Sequence, residues 1–147
     1  MPGPERRFSR QPGTATERYL QSVIDLRHLL SGEWVWDVFV TLHKGPAHYS
    51  NLLTAIQDRR FDDGWPGRTH VHLRDGTLNR TLRRLEQGEL VERMRDAEFP
   101  YHTTYELTPA ARELMDLVLP AVEWVETHAD LVDRARRRRH QEASGDS

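Results

Sequence analysis

DGTLNRTLRRLEQGELVERMRDAEFPYHTTYEL, residues 75–107, decides how this chain is read. Its first part places Leu78, Leu82 and Leu85 at i, i+4 and i+7, the spacing of one apolar helix stripe. Asp75 is the expected N-cap, and Gly88 stands where a helix of this length needs its C-terminal stop. The remaining positions carry Asn79, Arg80, Thr81, Arg83 and Arg84, which add nothing to a core. Arg80 and Arg84 are an i, i+4 pair of like charge, unfavourable on a face that meets only water. Two strand-like runs follow, 89–95 and 101–107, joined by Asp96-Ala97-Glu98-Phe99-Pro100, a turn-rich link of hairpin length.

Working outward, residues 14–30 read as a first helix, with Thr14 and Glu17 at capping-box spacing and Leu20, Val23, Ile24, Arg27 and Leu30 as its stripe. A second helix is expected over 33–43, burying Trp34, Val35, Val38, Phe39 and Leu42. A third is expected over 49–58, with Ser50 as N-cap, Tyr49 packing ahead of it, and Leu52, Leu53 and Ile56 turned inward. About sixteen residues (59–74) then separate it from the basic helix, where a compact helix-turn-helix uses about three or four. This Gly, Pro and Asp-rich segment, RRFDDGWPGRTHVHLR, is expected to form an ordered or semi-ordered loop beside the edge that carries the basic helix. After the hairpin, Thr108 caps a long helix with Pro109 at N1. Its inward positions are Leu114, Leu117, Val118, Ala121, Trp124, Val125 and Leu131, and Pro120 is expected to kink or split it.

The composition bounds the function. With 147 residues and 37% hydrophobic content, one domain with ragged ends is expected. No apolar run approaches the roughly 18 residues of a membrane span, and residues 1–13 lack a leader's apolar stretch, so a soluble, cytoplasmic chain is expected. There is no cysteine, hence no disulfide, thiolate metal site or thiol switch. The net charge of −2 conceals an uneven distribution. Residues 59–84 hold seven arginines against three aspartates, whereas 109–133 hold one arginine against six acids. Such separation suits one edge facing DNA and another face turned elsewhere.

A basic helix followed directly by a hairpin is the outline of a winged helix-turn-helix. The expected fold is therefore α+β and mostly helical, with a small hairpin wing and N- and C-terminal dimerisation helices. Residues 1–13 form a flexible basic arm (Arg6, Arg7, Arg10), 14–133 the domain, and 134–147 a basic, then polar tail. Double-stranded DNA is the expected partner, with Asn79 and Arg80 reading base edges, since Asn bonds adenine and Arg guanine bidentately. Thr77, Thr81, Arg83 and Arg84 are assigned to phosphates or the groove flank, with Ser50 at the third helix. Arg93, Arg95, Tyr101 and His102 are assigned to the wing, although its acids limit it to contact at the tip. A second copy is expected to cover Leu20, Val23, Ile24, Leu117, Ala121, Trp124 and Val125. No catalytic residue, cofactor or metal is expected: HExxH, paired cysteines and a phosphate-cradling loop are all missing. His70 and His72 with Asp62 and Asp63 are the one set resembling ligands, and are read as loop residues. The alternative is a winged-helix module that binds protein instead.

Three stretches, GEWVWDVFVTLHKGPAHYSNLLTAI, TLNRTLRRLEQGELVER and EFPYHTTYELTPAARELM, resemble the HxlR-type winged-helix regulators, a branch near the MarR group. The basic helix alone is also similar to the PadR type. The resemblance implies a dimeric transcription regulator with its recognition helix in the major groove and its first and last helices pairing. Three features depart from the pattern: the long 59–74 loop, Thr81 where an arginine is usual, and the missing sensor cysteine.

Overall fold

The computed structural model describes residues 13–59, 62–67 and 72–145. The chain divides between Ser31 and Gly32 into two units. The first holds α1 (Ala15–Leu29), whose capping box is complete: Thr14 Oγ1 accepts from the Glu17 amide, and Glu17 from the Thr14 amide, both at 3.1 Å. None of its residues is buried, and Tyr19, Leu20, Val23, Leu26 and Leu29 face outward. Of the expected arm, only Gly13 lies within the described residues.

In the second unit, apolar spacing becomes a core where helices cross a small sheet. Its elements are α2 (Val35–His43), β1 (Ala47–His48), α3 (Tyr49–Gln57), α4 (Asp75–Gln87), β2 (Val91–Arg95), β3 (Thr103–Leu107), α5 (Pro109–Thr127) and α6 (Ala129–Gly145). Val38, Phe39, Leu42, Leu52, Ile56, Leu78, Leu82 and Leu85 are almost wholly buried, as their periodicity requires. Leu73, just ahead of α4, joins them. The sheet runs β1-β3-β2, antiparallel throughout, with Val91 opposite Leu107, Arg93 opposite Tyr105 and Arg95 opposite Thr103.

Several expected boundaries move, each for a local reason. The second helix starts at Val35 rather than residue 33, with Trp34 as its N-cap. Ser50 does not cap α3; His48 does, because Ala47 and His48 pair with Tyr105 and Thr104 and stay extended until the helix begins. Asp75 is likewise inside α4, and the cap is Arg74, which makes no side-chain capping bond. The Asp75 carboxylate accepts the Tyr49 hydroxyl instead.

The end of α4 also differs. Gly88 has φ −82, and the left-handed residue is Glu89, φ 58. Leu90 N–H donates to the Leu85 carbonyl (2.9 Å) and Glu89 N–H to that of Glu86 (3.0 Å), the two bonds of a Schellman stop. Leu90 is buried beside Leu85, so β2 begins only at Val91.

Thr108 caps α5 as expected, accepting from the Ala111 amide at 3.2 Å and donating to the Glu89 carbonyl at 2.9 Å. Pro120 does not end α5, which runs on to Thr127. The break comes at His128, whose ring stacks on Trp124 at 4.3 Å while Nδ1 donates to the Trp124 carbonyl. What read as a tail from 134 is the body of α6. The inward face of α5 is Ala111 and Met115, because only its first turns lie over α2 and β3. Leu114 and Val118 are half-buried, and Leu117, Ala121, Trp124, Val125 and Leu131 are exposed.

A left-handed Glu costs about 1–2 kcal/mol, partly offset by the extra freedom glycine brings to the unfolded chain. Glu89→Gly is therefore expected to raise stability in urea by about 0.5–1 kcal/mol. An unchanged or lower midpoint would show that the side chain at 89 contributes more than its backbone costs.

Candidate nucleic-acid interface

The orientation of α4 follows from its three buried leucines. At 100° per residue, Arg80 and Arg83 fall on the side opposite them, and both are exposed. Asn79 lies on one flank, also exposed. Thr77 and Thr81 lie on the other flank, half-buried. Arg80 donates to Thr77 Oγ1 at 3.2 Å, and Thr81 Oγ1 donates to the Thr77 carbonyl at 3.0 Å. Thr81 thus spends its proton on the helix backbone. Arg84 turns toward the start of α2, where a side chain on Gly32 would stand 3.4 Å from its guanidinium. Of the residues assigned to α4, Asn79, Arg80 and Arg83 share the open face, while Arg84 and the threonines stand aside.

The wing sorts its charges by face. Arg93 and Arg95 pair with Tyr105 and Thr103 on the side that also carries buried Val91 and Leu107. Glu92 stands opposite Glu106 on the other side, a like-charged pair relieved by Arg112 at 3.8 Å from Glu106. Within the ladder, Glu92 and Glu106 are thus kept off the face that carries Arg93 and Arg95. Arg93 lies 3.8 Å from Glu86 of α4, an exposed pair worth little by itself but one that joins wing to helix. Arg95 lies over the Tyr101 ring at 5.4 Å, and Phe99 meets that ring edge-on. His102 does not join this basic face. It sits beside His48, ring centroids 5.0 Å apart, where His48 Nδ1 lies 3.1 Å from Thr104 Oγ1. Ser50 is exposed in the first turn of α3.

The contacts that hold this surface in place were not visible in the sequence. Tyr49 donates its hydroxyl to Asp75, including the Asp75 carbonyl at 2.9 Å, tying the start of α3 to the first turn of α4. Gln57 Nε2 donates to the Leu73 carbonyl at 2.8 Å. These partners are 26 and 16 residues apart, and no local spacing marks them. Of the histidine–aspartate set, His72 lies beside Gln57, and His70 is outside the described residues. Among the described residues no three potential ligands converge on a metal position.

The HxlR-like helix-turn-helix family matches residues 29–133. The chain belongs to that family. It is a transcriptional regulator, not an enzyme. A crystal structure of a MarR-family regulator from Enterococcus faecalis V583 is similar at 25% identity and TM-score 0.62, over 84% of this chain and 99% of that one. The redox regulator HypR in its reduced form shares the fold at 21% identity and TM-score 0.61, over 77% and 98% of the two chains. Diamide-treated YodB from B. subtilis does so at 21% and 0.56, over 73% and 92%. Against curated proteins the sequence finds no match. Among the described residues no helix is long and apolar enough to cross a membrane.

In this HxlR-like regulator the two tyrosines at the α3–α4–wing junction resist ionisation. Burial pushes the Tyr49 hydroxyl well above the ordinary tyrosine value, and the Asp75 carboxylate raises it further. Burial also raises Tyr105, with Glu86 adding and Arg93 and Arg83 opposing. A raised value favours the protonated, folded form. The contribution is complete below the unfolded value of about 10 and is lost as pH climbs through the folded values. Stability is thus expected to fall above pH ~10, less steeply in Tyr49→Phe and Tyr105→Phe, as followed by urea midpoints across alkaline pH. Equal slopes in all three proteins would contradict this.

Proposed function

We propose that the protein regulates transcription as a homodimer that binds specific DNA sequences, α4 entering the major groove and the β2–β3 hairpin acting as wing. The observation that carries this is the exposed face of α4, with Arg80 and Arg83 opposite three fully buried leucines and Asn79 exposed on the flank. Nothing in the core needs those side chains, and an α-helix with such a face fits the major groove. Asn79 and Arg80 read base edges. Arg83 and the wing's Arg93 and Arg95 neutralise phosphates, and Thr77, Thr81, Arg84 and Ser50 line the approach.

Binding is measured by fluorescence anisotropy on the gene's own upstream region against a shuffled fragment, at two salt concentrations. Arg80→Ala is expected to weaken binding to the upstream fragment by about 1–3 kcal/mol while sparing the shuffled one. Arg83→Ala is expected to weaken both and to reduce the salt slope by about one. If neither fragment binds at low salt, the DNA reading fails and a protein-binding winged helix replaces it.

A second copy would account for the apolar side chains left in solvent. Leu117 is 69% exposed, Leu20 55% and Trp124 50%, with Val125 and Val23 near 40%. Single exposed residues are ordinary, but this many on α1 and α5 suit an interface. Ile24 and Ala121 complete the proposed surface. Leu117→Glu is expected to halve the mass measured by light scattering and to weaken operator binding. A wild type that is already monomeric at micromolar concentration would remove the dimer.

A further inference from the structure

The long connection between α3 and α4 is not a spacer. Gln57 Nε2 donates to the Leu73 carbonyl at 2.8 Å, and Leu73 is buried, so the two ends of the connection are joined directly. Arg59 fixes the outgoing side to α2, donating to the Asp37 carbonyl at 3.3 Å and to Thr41 Oγ1 at 2.7 Å. A short turn would have closed the helix-turn-helix equally well, so the extra length calls for a contact elsewhere.

That contact is with α6. The 62–67 segment is shaped by two Asx turns: the Asp62 carboxylate accepts from the Gly64 amide and the Asp63 carboxylate from the Trp65 amide, each at 2.9 Å. His140 Nε2 donates to the Gly64 carbonyl at 2.9 Å. The Arg136 guanidinium lies 5.7 Å from the Trp65 ring centre, aimed by Asp133 at 3.1 Å. Its Nε is buried without a hydrogen-bond partner among the described residues. Gly64 has φ +80, and a Cβ there would stand 3.3 Å from Arg136 Cδ. Glycine suits the backbone angle, and a side chain there would press against Arg136.

We infer that this tip is a clasp by which α6 positions α4 for DNA, with Trp65 and Arg136 as positioning residues that touch no DNA themselves. The inference rests on the DNA-binding reading above. Arg136 holds Trp65, eight residues ahead of Leu73 in the chain, and Leu73 lies two residues ahead of an α4 whose N-cap makes no side-chain bond. Without the clasp α4 keeps its leucines but loses a restraint at its N-terminal end.

The test is the same anisotropy titration with Trp65→Ala, Arg136→Ala, the double variant and Trp65→Phe, after circular dichroism confirms intact helices. Each alanine variant is expected to weaken upstream-fragment binding about fivefold or more. The double variant should be no weaker than either single, the salt slope should be unchanged, and Trp65→Phe should keep most of the affinity. A salt slope lowered by about one in Arg136→Ala would mean direct phosphate contact and overturn the clasp. Additive losses, or alanine variants that bind like the wild type, would overturn it as well and leave the DNA reading standing. A wild type without sequence-specific binding removes both.

Discussion

A thirteen-residue helix bearing Arg80, Arg83 and Arg84 gains little from its own hydrogen bonds, since short helices are marginal in water and like charges one turn apart repel. What holds α4 is the burial of Leu78, Leu82 and Leu85, each almost completely removed from solvent. At about 25 cal/mol per Å² of apolar surface, each leucine contributes on the order of 2 kcal/mol, far more than the charges on the other face cost. The same constraint fixes which residues look outward, because a helix anchored on three points along one stripe cannot roll about its axis. Positive charge is displayed by what is hidden behind it.

The elements that could be read from the sequence are those whose signal is periodic. The leucines of α4, the Val38–Phe39–Leu42 face of α2 and the Thr108-Pro109 start of α5 all appear where the pattern puts them. Two of the errors come from partners far away in the chain that override a local preference. Asp75 and Ser50 are good caps, but β1 pairing holds His48 extended and Tyr49 claims the Asp75 carboxylate. Gly88 does stand at the helix stop, as expected, and the left-handed turn comes one residue later, at Glu89, ahead of the buried Leu90. Pro120 breaks nothing, since the helix tolerates it and gives way at the stacked His128 instead.

The DNA-facing surface was legible as composition but not as geometry. Residue counts placed arginine on α4 and in the wing, and they also placed acids in the wing. Only the register shows that alternation puts Arg93 and Arg95 on one face and Glu92 and Glu106 on the other. Similarly, the spacing of α4 grouped Arg84 with its neighbours, whereas its guanidinium turns back toward Gly32.

That register has a further consequence. Because side chains alternate, shifting β2 by a single residue against β3 would exchange the two faces, presenting Glu92 and Met94 where Arg93 and Arg95 now stand. The wing would keep its hydrogen bonds and reverse the sign of its potential. Thr108 N–H, bonded to the Leu90 carbonyl at 3.1 Å, and the turn that buries Leu90 together lock the ladder at its base. The polarity of the wing is thus decided at its root, by a buried leucine and a threonine, and not at the tip where DNA would meet it.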